Sequence, residues 1–218
     1  MSPKEAQWFG DKSKELLNDS FSPVLNIGSS TEYYRTIICP QIDKFVFSPI
    51  RDMGITVYHV DIKNDDGVDI TGDILDAAFR KKIKHLKPRA IFCNNLLEHV
   101  TDRAPVISAL SEILEIGGYL FLSVPYKYPY HPDPIDTGYR VLPHELVEEF
   151  DDFTICYAEL VNFGNYFQSI VRKPKLMARD AYMLLMGFAR KEKWKVLFGN
   201  YAYIFNKYQV SCVILAKM

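Results

Sequence analysis

The 218-residue sequence lacks several features that would each point to a different class of protein. Its four cysteines form no CxxC pair and no paired spacing, so we expect buried, reduced thiols and predict no metal ligands. No run of about 18 apolar residues could span a membrane. The N-terminus is charged and has no apolar core of the kind found in signal peptides. The net charge of −1 gives no reason to expect nucleic acid as a partner. A globular cytoplasmic protein is the natural expectation.

The glycine-rich loops that bind pyrophosphate are also missing. The apolar run VLNI (24–27) is followed by a single glycine, Gly28, and then by Ser29, Ser30 and Thr31. A dinucleotide fingerprint needs three glycines, and a P-loop needs a lysine that is absent here. A ligand without phosphates requires only one close approach of the backbone. Gly28 and Ser30 therefore remain candidate binding residues.

Strands and helices alternate along the chain. The clearest unit runs from Arg89 to Tyr126, where an apolar run, a polar turn, an amphipathic helix, a Gly-Gly turn and a second apolar run form a strand–helix–strand crossover. Such alternation predicts an α/β protein with a Rossmann-like, doubly wound, mostly parallel sheet. Residues 29–55 look irregular, and a helix is expected over 73–86. We expect one domain over 1–218, with residues 162–208 as a helical insertion or lid before the last strand.

Polar side chains follow several of these strands, and ligands of open α/β sheets bind at the carboxyl ends of the strands. Asn94, Asn95, Glu98 and His99 follow one strand, and the stretch 125–131 follows the next. Asp61 ends another strand, where an acid can accept hydrogen bonds from ribose hydroxyls or can simply close a turn. Asp73 can accept from an adenine amine or act as the N-cap of the helix over 73–86. Beside these acids, Ile62 and Ile74 can contact the adenine ring.

At these residues the chain resembles the class I S-adenosylmethionine-dependent methyltransferases. The matching order is VLNIG, YHVDI, ITGDILD, FCNNLLEHVTD and GGYLFLSVPY. The resemblance implies a seven-stranded sheet and S-adenosylmethionine as cofactor. Gly28 would contact the methionine part, Asp61 the ribose and Asp73 the adenine, while Asn94 or Asn95 would line the methionine pocket. Ser30 stands where the family usually has a second glycine. A non-catalytic module with this fold is the alternative.

The segment 131–146 resembles methyltransferases of bacterial glycan and polysaccharide gene clusters. The resemblance implies methyl transfer to a small-molecule or glycan acceptor, most simply to a sugar hydroxyl. A hydroxyl must lose its proton, and a neutral histidine suits that task near pH 7. We predict His131 as general base with Asp136 as its partner, and His99 as the next candidate. Acceptor-binding residues are predicted at Tyr126, Tyr130, Asp133 and Arg140, although each can also serve the loop structurally. Asp133 and Asp136 can alternatively hold a divalent ion together with His131.

A basic segment lies within the predicted insertion. Residues 171–195 contain eight basic and two acidic side chains, interleaved with apolar and aromatic residues. Such a helix is typical of peripheral contact with an anionic membrane, or of a lid with an apolar inner face. The sequence leaves both interpretations open.

Overall fold

The computed structural model describes residues 1–131, 135–172, 175–186 and 197–218. Its strands are β1 (Val24–Ile27), β2 (Val57–Asp61), β3 (Ile70–Thr71), β4 (Ala90–Asn94), β5 (Tyr119–Lys127), β6 (Phe153–Phe163) and β7 (Tyr208–Lys217). They form a seven-stranded sheet with the order β3-β2-β1-β4-β5-β7-β6. β1 to β5 pair in parallel, while β7 runs antiparallel between β5 and β6. The predicted α/β class and Rossmann-like sheet are confirmed.

The central strands are apolar because both of their faces are covered. Along β4, Ala90 and Phe92 point to one side of the sheet, and Ile91 and Cys93 point to the other. Phe92 stacks on Phe121 of β5 with ring centroids 4.2 Å apart. This alternation with a period of two creates two cores, one on each face of the sheet.

Helices cover both faces. The helices are α1 (Pro3–Leu16), α2 (Ser48–Asp52), α3 (Ala77–Lys84), α4 (Ala104–Ile113), α5 (Pro143–Val147), α6 (Tyr166–Arg172) and α7 (Lys175–Met186). Apolar side chains of α1 and α2 belong to the core on one face of the sheet, and those of α3, α4 and α5 belong to the core on the other. Within the described ranges, none of the helices has both the length and the apolar character needed to cross a bilayer.

Two local predictions were wrong. Residues 29–55 are not irregular, because two short π-helices (Tyr34–Ile38 and Asp43–Phe47) lead into α2. Asp73 is not the N-cap of α3, which begins four residues later, at Ala77. Asp76 caps this helix by accepting a hydrogen bond from Phe79 N at 2.7 Å, whereas Asp73 accepts one from Leu75 N and so closes a turn.

Candidate functional site

A cleft of about 1350 Å³ lies at the carboxyl ends of the parallel strands. Its floor is built from residues that follow β1, β2, β4 and β5. The first residues of α1 line one side, and residues 162–165 and 207–210 line another. All eight predicted cofactor residues line this cleft: Gly28, Ser30, Asp61, Ile62, Asp73, Ile74, Asn94 and Asn95. The cleft therefore brings together predicted residues from four separate stretches of the sequence.

The turn after β1 is held by a buried arginine. Gly28 and Ser30 have φ values of +71° and +54°, a conformation that glycine adopts without strain and serine adopts less readily. Arg35 is 3% exposed, and its guanidinium donates to the carbonyls of Ser29, Ser30 and Gly67. These charge-assisted bonds fix the turn without the second glycine of a dinucleotide loop. Sequence reasoning missed Arg35, because no pattern links it to Gly67.

Asp61 lies at the end of β2 and faces this turn. Its Oδ2 accepts from Ser30 N at 2.7 Å, and its Oδ1 accepts from Lys63 N at 3.0 Å. An ionised carboxylate offers about four acceptor positions, so each oxygen can still accept a bond from a ligand. Both interpretations of Asp61 are thus compatible, because closing the turn leaves room for a ribose. Ile62 is 68% exposed, whereas Ile74 is buried beside it in the cleft wall.

The two asparagines after β4 have different surroundings. Neither polar side-chain atom of Asn94 has a hydrogen-bond partner within the described part of the chain, although both atoms are buried. Asn95 donates to Glu5 Oε1 at 2.7 Å, and Ser123 donates to the same oxygen at 2.7 Å. Glu5 is 2% exposed and also closes the capping box of α1 with Ser2. The sequence signal Ser2-x-x-Glu5 was visible, but it predicts only a helix start.

Beside the asparagines, a cluster of titratable side chains forms where β4 and β5 end. Glu98 and His99 lie on a 3₁₀ turn (Leu97–His99), and His131 follows β5. Glu98 Oε1 is 3.8 Å from His99 Nε2 and 3.9 Å from His131 Nε2. His99 and His131 line the cleft, and their rings meet edge to face with centroids 5.3 Å apart. We call Glu98, His99 and His131 the carboxylate–histidine cluster.

Hydrogen bonds fix the tautomers of both histidines. His131 Nδ1 is 3.1 Å from Pro129 O, and His99 Nδ1 forms a short bond to Ile135 O. A carbonyl only accepts, so Nδ1 carries a proton in each ring, and in the neutral form of either ring Nε2 keeps a free lone pair. Burial lowers the pKa of His131, so the ring is neutral at pH 7. Both unprotonated nitrogens face Glu98.

Glu98 is unusual because its carboxyl group is completely buried. Neither oxygen has a hydrogen-bond partner among the residues that the structure describes. Burial raises the pKa of Glu98 to about 8, because the charged form loses its hydration. From the sequence, Glu98 was expected at this edge of the sheet without a role, and the one ion site left open there combined His131 with Asp133 and Asp136. The structure instead joins three side chains of a metal-binding type.

Asp136 does not line the cleft but holds the backbone of His131, which does. Arg140 donates to both of its oxygens, at 3.1 and 2.7 Å, and His131 N donates to Oδ2 at 2.9 Å. Burial alone would raise the pKa of Asp136, but Arg140 and the backbone donors lower it to about 2. Arg140 is thus paired with Asp136 and also lies outside the cleft lining.

The predicted acceptor-binding tyrosines lie elsewhere. Tyr126 and Tyr130 do not line the cleft, whereas Tyr34, Tyr128 and Tyr208 do, and the ring of Tyr128 packs edge-on against His131 with centroids 5.0 Å apart. β5 has a register shift between Pro125 and Lys127 against β7, which changes the alternation of side chains there. Asp133 lies outside the described residues. Part of the basic segment 171–195 lies outside them as well, at positions 173, 174 and 187–195.

No protein-family model and no curated protein sequence matches this chain. Solved structures do match it. The [4+2]-cyclase SpnF matches with a TM-score of 0.61 and 14% identity, over 97% of this chain and 80% of its own. An S-adenosylmethionine-dependent methyltransferase from Archaeoglobus fulgidus matches with a TM-score of 0.55 and 12% identity, over 97% of this chain and 94% of its own. Coclaurine N-methyltransferase bound to N-methylheliamine and S-adenosylhomocysteine matches with a TM-score of 0.52 and 12% identity, over 97% of this chain and 69% of its own.

The chain has the fold of class I S-adenosylmethionine-dependent methyltransferases. The seven strands of the sheet agree with what the sequence resemblance implied. One of the matching structures is a cyclase, so the fold serves more than one reaction. The activity of this chain must therefore be argued from its own cleft.

Proposed function

We propose that this protein binds S-adenosylmethionine and transfers its methyl group to a hydroxyl of a small acceptor. One observation carries the proposal: a single cleft is lined by the eight predicted cofactor residues and also by His99 and His131. A methyl transferase needs a cofactor site and an acceptor site that open onto each other. The cleft supplies both in one continuous space.

The residues present fit this cofactor. Asp61 keeps acceptor capacity for ribose hydroxyls, because the backbone uses only part of its carboxylate. Asn94 presents a buried amide whose atoms lack partners among the described residues, and a ligand's polar groups would satisfy it. Ile62 and Ile74 offer apolar surface for the adenine, with Asp73 beside them. When bound, the sulfonium supplies an already activated methyl group.

The chain's own task is to align the acceptor, exclude water and remove one proton. In the absence of a metal ion, His131 Nε2 is the group we propose to accept that proton, because Nδ1 is held by Pro129 O. Asp136 fixes the backbone at His131 and therefore positions the base. His99 provides a second free Nε2 at the same place.

For the acceptor we propose a sugar or glycan hydroxyl. The motivation is the resemblance of residues 131–146 to enzymes of glycan gene clusters, together with Tyr128, whose ring lines the cleft next to His131. An aromatic face is a good contact for the apolar side of a sugar ring, and a phenol can bond its hydroxyls.

The experiment has two stages. Isothermal calorimetry with S-adenosylmethionine and S-adenosylhomocysteine tests the cofactor site first. Transfer of a labelled methyl group to a panel of nucleotide sugars and oligosaccharides then tests the acceptor class. Absence of binding to both nucleosides would refute the proposal. Binding without transfer to any acceptor of the panel would favour the alternative of a non-catalytic module.

A further inference from the structure

We propose that Glu98, His99 and His131 bind a divalent transition-metal ion at the edge of the cleft. The ligand atoms of the three side chains all lie within 4.8 Å of one another. Two imidazoles and one carboxylate are a known ligand set for catalytic zinc and for non-haem iron. Such a set leaves coordination positions open, and here His99 and His131 border the cleft.

The burial of Glu98 is the first independent argument. A carboxyl group that is 0% exposed and has no hydrogen-bond partner among the described residues leaves two buried polar oxygens unsatisfied, which is unfavourable in either protonation state. No arginine or lysine forms an ion pair with it within the described ranges, and the two Nε2 atoms both lie within 4 Å of Oε1. Neutral Nε2 atoms are acceptors, as the carboxylate oxygens are. A cation between these acceptors would satisfy all of them at once.

The orientation of the rings is the second argument. Histidines that ligate a metal usually donate their other ring N–H to a carbonyl or carboxylate, which fixes the tautomer and the angle of the ring. His131 Nδ1 bonds Pro129 O and lies 3.3 Å from Asp136 Oδ2, and His99 Nδ1 bonds Ile135 O. Asp136 is in turn held by Arg140. The outer partners of a metal site are therefore already in place.

The distances require only a small closure. Bonds of about 2.0–2.2 Å from zinc to nitrogen or oxygen place the ligand atoms of one ion about 3–3.5 Å apart. The two carboxylate–imidazole separations are 3.8 and 3.9 Å. All three ligand atoms lie within 4.8 Å of one another, so the side chains need to approach by less than about 2 Å, which rotation of the rings and of the loop that carries His131 can supply.

The role of the ion rests on the proposed function. An acceptor hydroxyl bound at an open position would become more acidic and release its proton to solvent, since both Nε2 atoms are then ligands. The resulting oxygen would attack the methyl carbon, forming a C–O bond while the S–CH₃ bond breaks. The electron pair of that bond stays on sulfur and leaves neutral S-adenosylhomocysteine. His131 would then serve as a ligand and no longer as the base.

The test uses metal-stripped full-length protein titrated with Co²⁺ and then Zn²⁺. We expect a visible ligand-field spectrum of one equivalent of Co²⁺, displaced stoichiometrically by Zn²⁺, without the intense near-ultraviolet band of thiolate ligands. Glu98→Gln, which keeps the shape of the side chain, and the double variant His99→Ala/His131→Ala should each weaken Zn²⁺ binding at least about 100-fold. His144→Ala, at an exposed histidine outside the cluster, is the matched control and should bind as the parent does.

Absence of a Co²⁺ spectrum in the parent protein would overturn the proposal without reference to any variant. Unchanged affinity in the folded double variant, or a thiolate band, would overturn it too, since the ion would then lie elsewhere. Calorimetry with S-adenosylhomocysteine on the same metal-free samples separates the two proposals. Cofactor binding without metal binding would refute only the metal site, and metal binding without cofactor binding would refute only the proposed function.

Discussion

Replacing Asp61 by alanine is the most direct test of the cofactor site. The carboxylate lies at the end of β2, where Ser30 N and Lys63 N each donate to one of its oxygens. These two bonds hold it toward the turn after Gly28, in the wall of the cleft. Removing the side chain takes away the predicted ribose acceptor and leaves the strands of the sheet intact.

The expected magnitude follows from these bonds. A hydrogen bond to a charged group contributes about 1.5–3 kcal/mol, so losing a ribose hydroxyl bond should weaken binding about 10- to 150-fold. The bonds from Ser30 and Lys63 are lost in the free and in the bound protein alike. Their loss therefore lowers the free energy of unfolding, by about 1–3 kcal/mol, and has a smaller effect on affinity.

Calorimetry with S-adenosylhomocysteine and its 2′-deoxy analogue separates the two effects. The parent protein should bind the deoxy analogue more weakly, whereas Asp61→Ala should discriminate little between the two ligands. Asp66→Ala is the control, because it removes the same charge from an exposed position outside the cleft lining. If folded Asp61→Ala bound S-adenosylhomocysteine with parental affinity, the assignment of Asp61 to the ribose would be refuted.

Three further predictions concern catalysis, pH and membranes. His131→Ala should lower turnover about 10²- to 10⁴-fold with little change in cofactor affinity, and full turnover with the true acceptor would contradict its role. Burial lowers the pKa of His59 to about 3, so the unfolded chain binds a proton that the folded one does not. The free energy of unfolding should therefore fall as pH drops below about 6.5, by up to about 1.4 kcal/mol per unit from this group. Urea titrations of His59→Gln should show a shallower fall over that range, and an identical slope would refute the assignment. Co-sedimentation with anionic liposomes should detect binding through 171–195 at low salt, and loss of binding when the three lysines at 191–195 are neutralised. If the protein did not pellet with the liposomes at low salt, the interpretation of residues 171–195 as a lid would be favoured.

Much of the fold could be predicted because it depends on local sequence patterns, namely apolar runs and their alternation with helical segments. The apolar runs 24–27 and 90–93 predicted buried strands, and their alternation with helices predicted a mostly parallel sheet. Asp61 could be placed because an acid at a strand end needs no knowledge of distant residues. Ligand-facing positions at strand ends follow from topology, so all eight predicted cofactor residues reached one cleft.

What could not be predicted depends on contacts between distant parts of the chain. Glu5 meets Ser123, and Arg35 meets Gly67, through bonds that no spacing rule connects. Glu98 and His131 are 33 positions apart and come together only because β4 and β5 end side by side. The wrong cap at Asp73 has a local cause: two aspartates precede the helix, and each is a residue type that can cap it, but only Asp76 does so.

The place of β7 in the sheet sets an order on folding during synthesis. Among the described strands β6 pairs only with β7, which is made later, whereas β1 to β5 can pair as soon as they emerge. At about 5–20 residues per second, the ribosome needs about 2–9 s to pass from Phe163 to Tyr208. During that interval both β5 and β6 have an open edge, and the cleft lacks its wall at residues 207–210. Slow translation of the intervening segment would thus prolong the life of a nascent chain that is prone to pair with others.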